Sequence, residues 1–471
     1  MKVVMLGNDT KEEIEKRVQI VASAGNLSRS NGKVTDVLNK NLDYESNLKL
    51  ARAVVGYGHK SIAEHDYIVF ALEDVTPIIE QTIISYRLTS FTIKSRRNVD
   101  FRNVGFYTPN FKDNNGNILS NNEELQSEYN KYMSSLFTKY GDLVDKKLPV
   151  EDCRYILPYS YYSNIIMGCD ANELLKITGD MLYGKISKID EVETLGRKFE
   201  EIIRSKIPYL SKALDKEKES NYYEDRFSYL DSLVNYSSKL LPSAKLNNYS
   251  KDADNIVLKN ILMSRYQLSY NEAGRLLNEL VKSDENIKND LIDSLIFSKH
   301  QRELEQVIYS FEAPISLAVL THITRHRTQS LLVPDFVPLW NMNNYIIPPT
   351  IKESHEKEYI KIFKENVKMV QKYKSYGVRD EDLVYFYLSG NACNIYTTMN
   401  GRTLEWISRM RCCLKAQWEI RNIVNTFVSE VKKKTPLVGK CLGATCTVEK
   451  YCPEGKDSCK NRGVVIINNN N

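Results

Sequence analysis

Apolar residues recur along this chain with two periods. Tyr67-Ile-Val-Phe-Ala71 and Val307-Ile-Tyr-Ser-Phe311 alternate, the pattern of strands with one buried face. Glu123–Lys147 and Glu353–Tyr376 carry apolar residues at helical spacing instead and predict long amphipathic helices. Each alternating stretch follows the end of a helical one and leads into a second apolar run. Pro77 and Pro314 open those runs, at the first-turn position where proline's missing N–H costs nothing. Strands interleaved with long helices predict an α/β (α+β) fold.

The pattern occurs twice. "GHKSIAEHDYIVFALEDVTPIIEQTIISYRLTSF", from Gly58, lines up with "KHQRELEQVIYSFEAPISLAVLTHITRHRTQSL", from Lys299. His59 meets His300, Glu64 meets Glu305 and Arg87 meets Arg327. Further on, "CRYILPYSYYSNIIMGCDANELL" (Cys153–Leu175) echoes "LVYFYLSGNACNIYTTMNGRTLEWI" (Leu383–Ile407). Each is followed by helical sequence with a Glu-Ile pair, Glu201-Ile202 and Glu419-Ile420. Segments matched in the same order indicate duplication. The expected organisation is a first copy over 1–225, a second over 226–440 and a Cys-rich tail over 441–471. The polar stretch Ser243–Asn255 lies near the join.

Composition narrows the class. With 471 residues, 42% hydrophobic and 27% charged, the chain has the profile of a soluble globular protein with more than one domain. Its 65 basic and 60 acidic residues leave a net charge of +5, a poor electrostatic footprint for nucleic acid. No apolar run approaches the roughly 18–20 residues needed to span a bilayer. "MKVVMLGNDTKEE" turns polar too early for a signal peptide, so a cytoplasmic location and no membrane partner are expected. Five of the nine cysteines are scattered: Cys153, Cys169, Cys393, Cys412 and Cys413. Cys441, Cys446, Cys452 and Cys459 crowd the tail, where four thiolates could enclose a structural Zn2+. Their spacing is not the paired C-x-x-C of familiar zinc sites, and free thiols or disulfides remain alternatives. "VVIINNNN" at the end reads as no more than a frayed strand.

Chemistry concentrates in the second copy. Arg325-His326-Arg327 closes the apolar run Ala313–Leu320, and Arg402, Arg409, Arg411 and Lys415 recur downstream. A helix C-terminus favours cations, so a cap with salt bridges would account for the triplet alone. The downstream cations share a helical stretch with the apolar residues Leu404, Ile407, Met410 and Leu414, followed by "AQWEIR". Several arginines around a partly apolar pocket suit a phosphorylated aromatic ligand, because guanidinium forks onto phosphate and stacks on flat rings.

Four features, pooled over both copies, resemble the flavin-dependent thymidylate synthases. They are "GHKSIAEH", Arg87 followed by seven residues and Ser95, "RHR", and "NGR" followed by "R" and "AQWEIR". The resemblance covers both copies. It implies two tandem copies of that family's fold, each a mixed sheet flanked by long helices. The implied activity is synthesis of dTMP from dUMP, with carbon from methylenetetrahydrofolate and hydride from FADH2, and with NADPH recharging the flavin. Members are usually homotetramers whose sites draw on several subunits, so a tandem chain implies a homodimer forming a pseudo-tetramer.

The residues implied by the resemblance divide between the copies. Ser95, Arg97 and Arg154 match dUMP-binding positions, and Arg411 matches a phosphate-facing arginine contributed across an interface. His59, Arg87, Arg325, His326, Arg327, Asn400, Arg402 and Lys415 match positions that contact FAD. His59, Ser95 and Arg411 are the residues expected nearest the chemistry; a helix-end or core histidine is the alternative for His59. The first copy has Ser85 and Tyr86 where "RH" belongs, and "DANELLKITGDMLYGK" lacks the later arginines. The second has Asp335 where a serine belongs, and Val384 or a neighbour in place of the arginine matching Arg154. An Asp would repel a nucleotide phosphate. Complementary losses imply composite sites, with a nucleotide cradle from the first copy and a flavin cradle from the second. No matched cysteine nucleophile is present. The competing readings are a decayed paralogue that binds flavin or nucleotide without turnover, and a flavoenzyme that methylates uracil in RNA.

Overall fold

The alternating stretches become sheet because each finds strands to pair with on both sides. The computed structural model describes residues 1–7, 9–27, 29–38, 43–234, 238–455 and 458–459. The first sheet takes β1 (Lys2–Met5), β2 (Tyr67–Val75), β3 (Ser90–Ile93) and β4 (Ser163–Asp170), in the order β1-β2-β4-β3. The second takes β5 (Lys245–Tyr249), β6 (Ile308–Ser316), β7 (Ser330–Leu332) and β8 (Ala392–Asn400), in the order β5-β6-β8-β7. The topologies are identical, as duplication requires. Every pairing is antiparallel, so the α/β (α+β) class holds while the sheets are not of mixed direction. Tens of residues separate β2 from β4 and β6 from β8, and a connection that long permits either strand direction.

Packing repeats with the topology. Ile68, Phe70 and Leu72 of β2 are buried, and Phe70 meets Phe199 of the helix Asp190–Lys206 with ring centroids 5.2 Å apart. Phe311 of β6 stacks on Phe427 of the helix Trp418–Lys434 at 4.1 Å. Both contacts join a central strand to the same later helix of its own copy.

Pro77 opens the helix Pro77–Ser85 as expected, behind the N-cap Thr76. Pro314 does not open its helix. It sits inside β6 opposite Asn394, and the helix begins at Leu317. The carboxylate of Glu419 explains the delay. It accepts the N–H and the hydroxyl of Ser316, both at 2.7 Å, and so anchors the residue just before the helix. Glu191 does the same for Thr76, at 2.9 Å from its N–H and 2.5 Å from its hydroxyl. The partner of Glu419 in the first copy is therefore Glu191, not Glu201, which is exposed. The polar stretch Ser243–Asn255 likewise contains strand β5 rather than a bare linker, because β6 offers it a ladder.

Packing units and sequence copies do not coincide. One unit comprises Met1–Ser238, Phe336–Asn343 and Ile347–Gly390; the other comprises Lys239–Asp335, Asn344–Ile346 and the chain from Asn391. The long helix Glu356–Ser375 thus belongs with the first copy's long helix Asn122–Asp145. Tyr132 Oη donates to Asn366 Oδ1 at 3.1 Å, and Tyr373 Oη donates to the Leu125 carbonyl at 2.7 Å. In the same unit, Ser389 N–H donates to the Leu157 carbonyl at 2.9 Å and Tyr159 N–H to the Tyr387 carbonyl at 2.6 Å. Gly390 completes this ladder because a Cβ there would lie 2.3 Å from Tyr359 Oη and 3.0 Å from the Tyr155 carbonyl.

Among the described residues no helix is long and apolar enough to cross a membrane. The terminal "VVIINNNN" lies outside the described residues.

Candidate active site

Three arginines gather in the first copy. Beyond β3 the chain bends at Ser95-Arg96-Arg97, with Ser95 exposed and Arg97 half-buried. Ser95 Oγ accepts the Arg97 N–H at 3.4 Å, and Arg97 Nε donates to Glu151 at 2.7 Å. Arg96 is buried and pairs with Glu80 and with the hydroxyl of Tyr161. Arg154 stands at the end of the short helix Val150–Cys153, only 2% exposed. Its Nε donates to the Glu151 carbonyl at 3.1 Å, while its Nη2 is buried without a hydrogen-bond partner. Burial depresses the Arg154 pKa; Arg96 and Arg97 push the same way, against Tyr155 and Tyr161. A guanidinium placed so costs several kcal/mol unless an anion meets it. Arg96 was missed by the sequence reading, although the adjacent Arg-Arg pair after Ser95 was visible there. The second copy puts Val384, fully buried, at the end of the corresponding short helix Asp380–Leu383, so Val384 is the residue that stands in for Arg154.

A second cationic cluster forms in the second copy. Arg325 caps the helix Leu317–Thr324; Arg325 and Arg327 are exposed and His326 between them is 5% exposed. Arg411 Nε donates to His326 Nε2 at 3.1 Å, and Arg411 Nη2 donates to the His322 carbonyl at 3.0 Å. Burial, with Arg411 and Arg325 beside it, pushes the His326 pKa down to about 3. The ring is therefore neutral at physiological pH, accepting at Nε2 and carrying its proton on Nδ1. Asn400 is the N-cap of the helix Gly401–Arg411 and accepts the Thr403 N–H at 2.8 Å. Arg402 Nη1 donates to Gln301 at 2.6 Å and pairs with Glu405. Lys415 pairs with Glu454 at 3.0 Å. The apolar face expected on this stretch is split: Leu404 and Ile407 are buried, whereas Met410 and Leu414 are exposed, as is Trp406 beside them. Trp406 and Arg402 are one turn apart on one side of the helix, a pairing the sequence reading did not use.

The same corner of the first copy holds different chemistry. Tyr86 occupies the position of His326, and its hydroxyl donates to Asp180 Oδ2 at 2.6 Å. Asp170 caps the helix Ala171–Tyr183 as Asn400 caps its own, accepting the Glu173 N–H at 2.8 Å. Burial raises the pKa of Asp180. A cavity of about 580 Å3 opens here, lined by Tyr86, Asp180, Lys60, Lys176, Glu217 and Tyr223 among others. Arg87 is exposed in the turn beyond the helix, and His59 is exposed at the start of the 3-10 turn Lys60–His65.

Burial disfavours the thiolate at the cysteine next to Arg411. Cys412 and Cys413 are half-buried, and burial pushes the Cys412 thiol up to about 12. In the tail Cys441 is buried, Cys446 and Cys452 are half-buried and Cys459 is exposed; all are free. Among the described residues no three His, Cys, Asp or Glu side chains are placed to hold a metal ion, so the four are not gathered into the Zn2+ site considered above. Cys441 is instead packed inside the second unit, near Glu405 and Arg409.

Scaffold and residues together define a duplicated domain with a cationic cluster in each copy. The sequence profile of the thymidylate synthase complementing protein family matches it twice, over residues 12–208 and 245–437. The chain belongs to that family and carries its domain in tandem. A flavin-dependent thymidylate synthase from Clostridium tetani is 34% identical over 241 residues, spanning 46% of this chain and 92% of that protein. One from Sulfurisphaera tokodaii is 30% identical over 216 residues, spanning 44% and 80%. Among solved structures, a UMP/dUMP methylase from Streptomyces cacaoi bound with 5-Br dUMP overlaps 44% of this chain and 96% of its own, at 16% identity and a TM-score of 0.34. So loose an overlap carries no weight for the chemistry.

Proposed function

We propose that the chain is a cytoplasmic enzyme that methylates dUMP reductively to dTMP, using FAD, methylenetetrahydrofolate and NADPH. The observation that carries this reading is Arg154: a buried guanidinium with an unpartnered Nη2, beside Arg96 and Arg97 whose nearest carboxylates are already engaged. Such a site calls for a dianionic phosphate, which accepts several guanidinium N–H groups at once. Family membership and relatives that are flavin-dependent thymidylate synthases support dUMP as its bearer. Ser95, Arg97 and Arg154 would bind and orient the nucleotide, with Arg411 supplementing the phosphate contacts.

The donor set of the second copy fits a flavin dinucleotide. Arg325, Arg327 and Arg402 suit a diphosphate, Asn400 offers polar contacts, and exposed Trp406 and Met410 suit a flat ring. Bound FAD would supply hydride, and NADPH would restore it. His326, neutral and held by Arg411, would present a polar surface that adds no charge. Gln301 and Glu405 fix Arg402 in place before any ligand arrives. His59, Arg87 and Lys415 are further flavin-side candidates. Each functional site would combine nucleotide residues of a first copy with flavin residues of a second, in a homodimer equivalent to the family's tetramer. No cysteine is needed, which agrees with the half-buried, proton-holding Cys412.

The test is conversion of dUMP with methylenetetrahydrofolate and NADPH in deuterated water. Deuterated dTMP from a yellow protein supports the proposal. Flavin binding without dTMP would instead assign a binding protein. Methylation confined to uracil in RNA would assign the third reading.

A further inference from the structure

The second copy does not stop where the family match does. The helix Trp418–Lys434 is followed by Pro436, which opens the short helix Pro436–Lys440, as Pro208 follows Asp190–Lys206 in the first copy. Asp254 accepts the N–H groups of Leu437 and Val438 at 3.2 and 2.9 Å and fixes the start of this extension. Cys441 and Leu442 are fully buried. The Gly443 N–H donates to Ser408 Oγ at 3.0 Å, which lays the extension along the helix that bears Arg402 and Arg411.

Two acids of the extension then meet two cations. Glu449 lies 3.3 Å from Arg409 Nη2, and Glu454 lies 3.0 Å from Lys415 Nζ. The first pair is connected onward. Arg409 is buried and its Nε donates to Glu405 Oε1 at 2.7 Å, while the other oxygen of Glu405 holds Arg402. Glu405 is thus one buried carboxylate shared by two arginines. Neither Nη of Arg409 has an aligned hydrogen bond, so Glu449 is the charge that balances that end of the guanidinium. Without Glu449, Arg409 would draw both Glu405 oxygens in a bidentate pair, and Arg402 would lose its carboxylate partner and be held by Gln301 alone. The second pair acts in the opposite sense: an exposed Lys415 must leave Glu454 before it can meet a ligand phosphate.

We propose that the C-terminal extension tunes flavin binding in the second copy through these two acids, with opposite effects. Glu449 is a positioning residue for Arg402, acting through Arg409 and Glu405, and Glu454 competes with the ligand for Lys415. The proposal rests on the reading that the second copy holds the flavin. FAD titration of the full-length apoprotein, followed by flavin fluorescence, tests it. Glu449→Gln should weaken FAD binding about fivefold, and Glu454→Gln should tighten it about two- to threefold, the range open to partly buried and exposed ion pairs respectively. Both thermal midpoints should stay near wild type, because each change is nearly isosteric. If both variants bind like wild type, or both weaken, the extension is packing alone and the proposal is wrong. If the wild-type chain binds no FAD, the flavin reading itself fails, and this proposal falls with it.

Discussion

At the end of the helix that follows the central strand, the first copy joins Tyr86 to Asp180 and the second joins His326 to Arg411. One corner is a hydroxyl on a carboxylate; the other is a neutral imidazole on a guanidinium. Around them the scaffold is the same. Thr76 and Ser316 are each held by a buried glutamate, Asp170 and Asn400 each cap the next helix, and Phe70 and Phe311 each meet the later one. Contacts that build the fold have survived in both copies, while residues that could meet a ligand have parted. Arg154 against Val384 is the same contrast with the copies exchanged. The copies thus differ in what they can bind rather than in how they fold.

Acid should separate them most sharply. The His326 pKa is depressed from 6.5 to about 3, so its contribution is fully present above pH 6.5 and is lost as pH falls towards 3. Over that window the second copy should lose about 3–5 kcal/mol that the first copy's Tyr86 corner keeps. His326→Gln should flatten this acid limb in denaturant unfolding; an unchanged limb would show that the imidazole is not held neutral. Next, Arg154→Ala should weaken dUMP binding roughly 100- to 1,000-fold, since it removes a buried charge-assisted contact. Bound flavin per chain should not change. Loss of flavin in step with dUMP would contradict the division of labour between the copies.

Glu191 offers a smaller and opposite pH effect. Burial raises its pKa to about 7 from 4.5, against the hydrogen bonds from Thr76 and Tyr385. Its stabilising contribution is complete below pH 4.5 and is lost as pH rises through 7, on the order of 3 kcal/mol. Glu191→Gln should remove that slope between pH 4.5 and 7, as read from denaturation midpoints. Smallest is Tyr86→Phe, which strips a partly buried Asp180 of its donor and should cost about 1 kcal/mol. It should leave flavin content untouched; altered flavin content would mean that the first copy's corner also takes the cofactor.

Much of the fold could be read from the chain. The strand cores at Tyr67 and Val307 and the long helices near Glu123 and Glu353 appear where their periods placed them, because period reflects which side of a single element is buried. Pro314 misled, since a proline is also tolerated in a strand when its absent N–H is not required, and only Glu419 on Ser316 shows where the helix starts. The candidate site was legible as residue types and order. Its missing members, Arg96, Gln301 and Glu405, lacked a motif because they act as partners of other side chains.

The sequence by itself determined the duplication, the family and the unequal inventories of the two copies, all of which reside in residue identity and spacing. Only the tertiary structure decided that Glu191 is the counterpart of Glu419, that residues 347–390 pack in the unit built mainly from the first copy, and that Arg154 is buried with an unpartnered nitrogen. The physical reason is distance along the chain. Periodicity reports on neighbours a few residues apart, whereas these contacts join residues more than 100 apart, or depend on what every distant segment leaves unfilled.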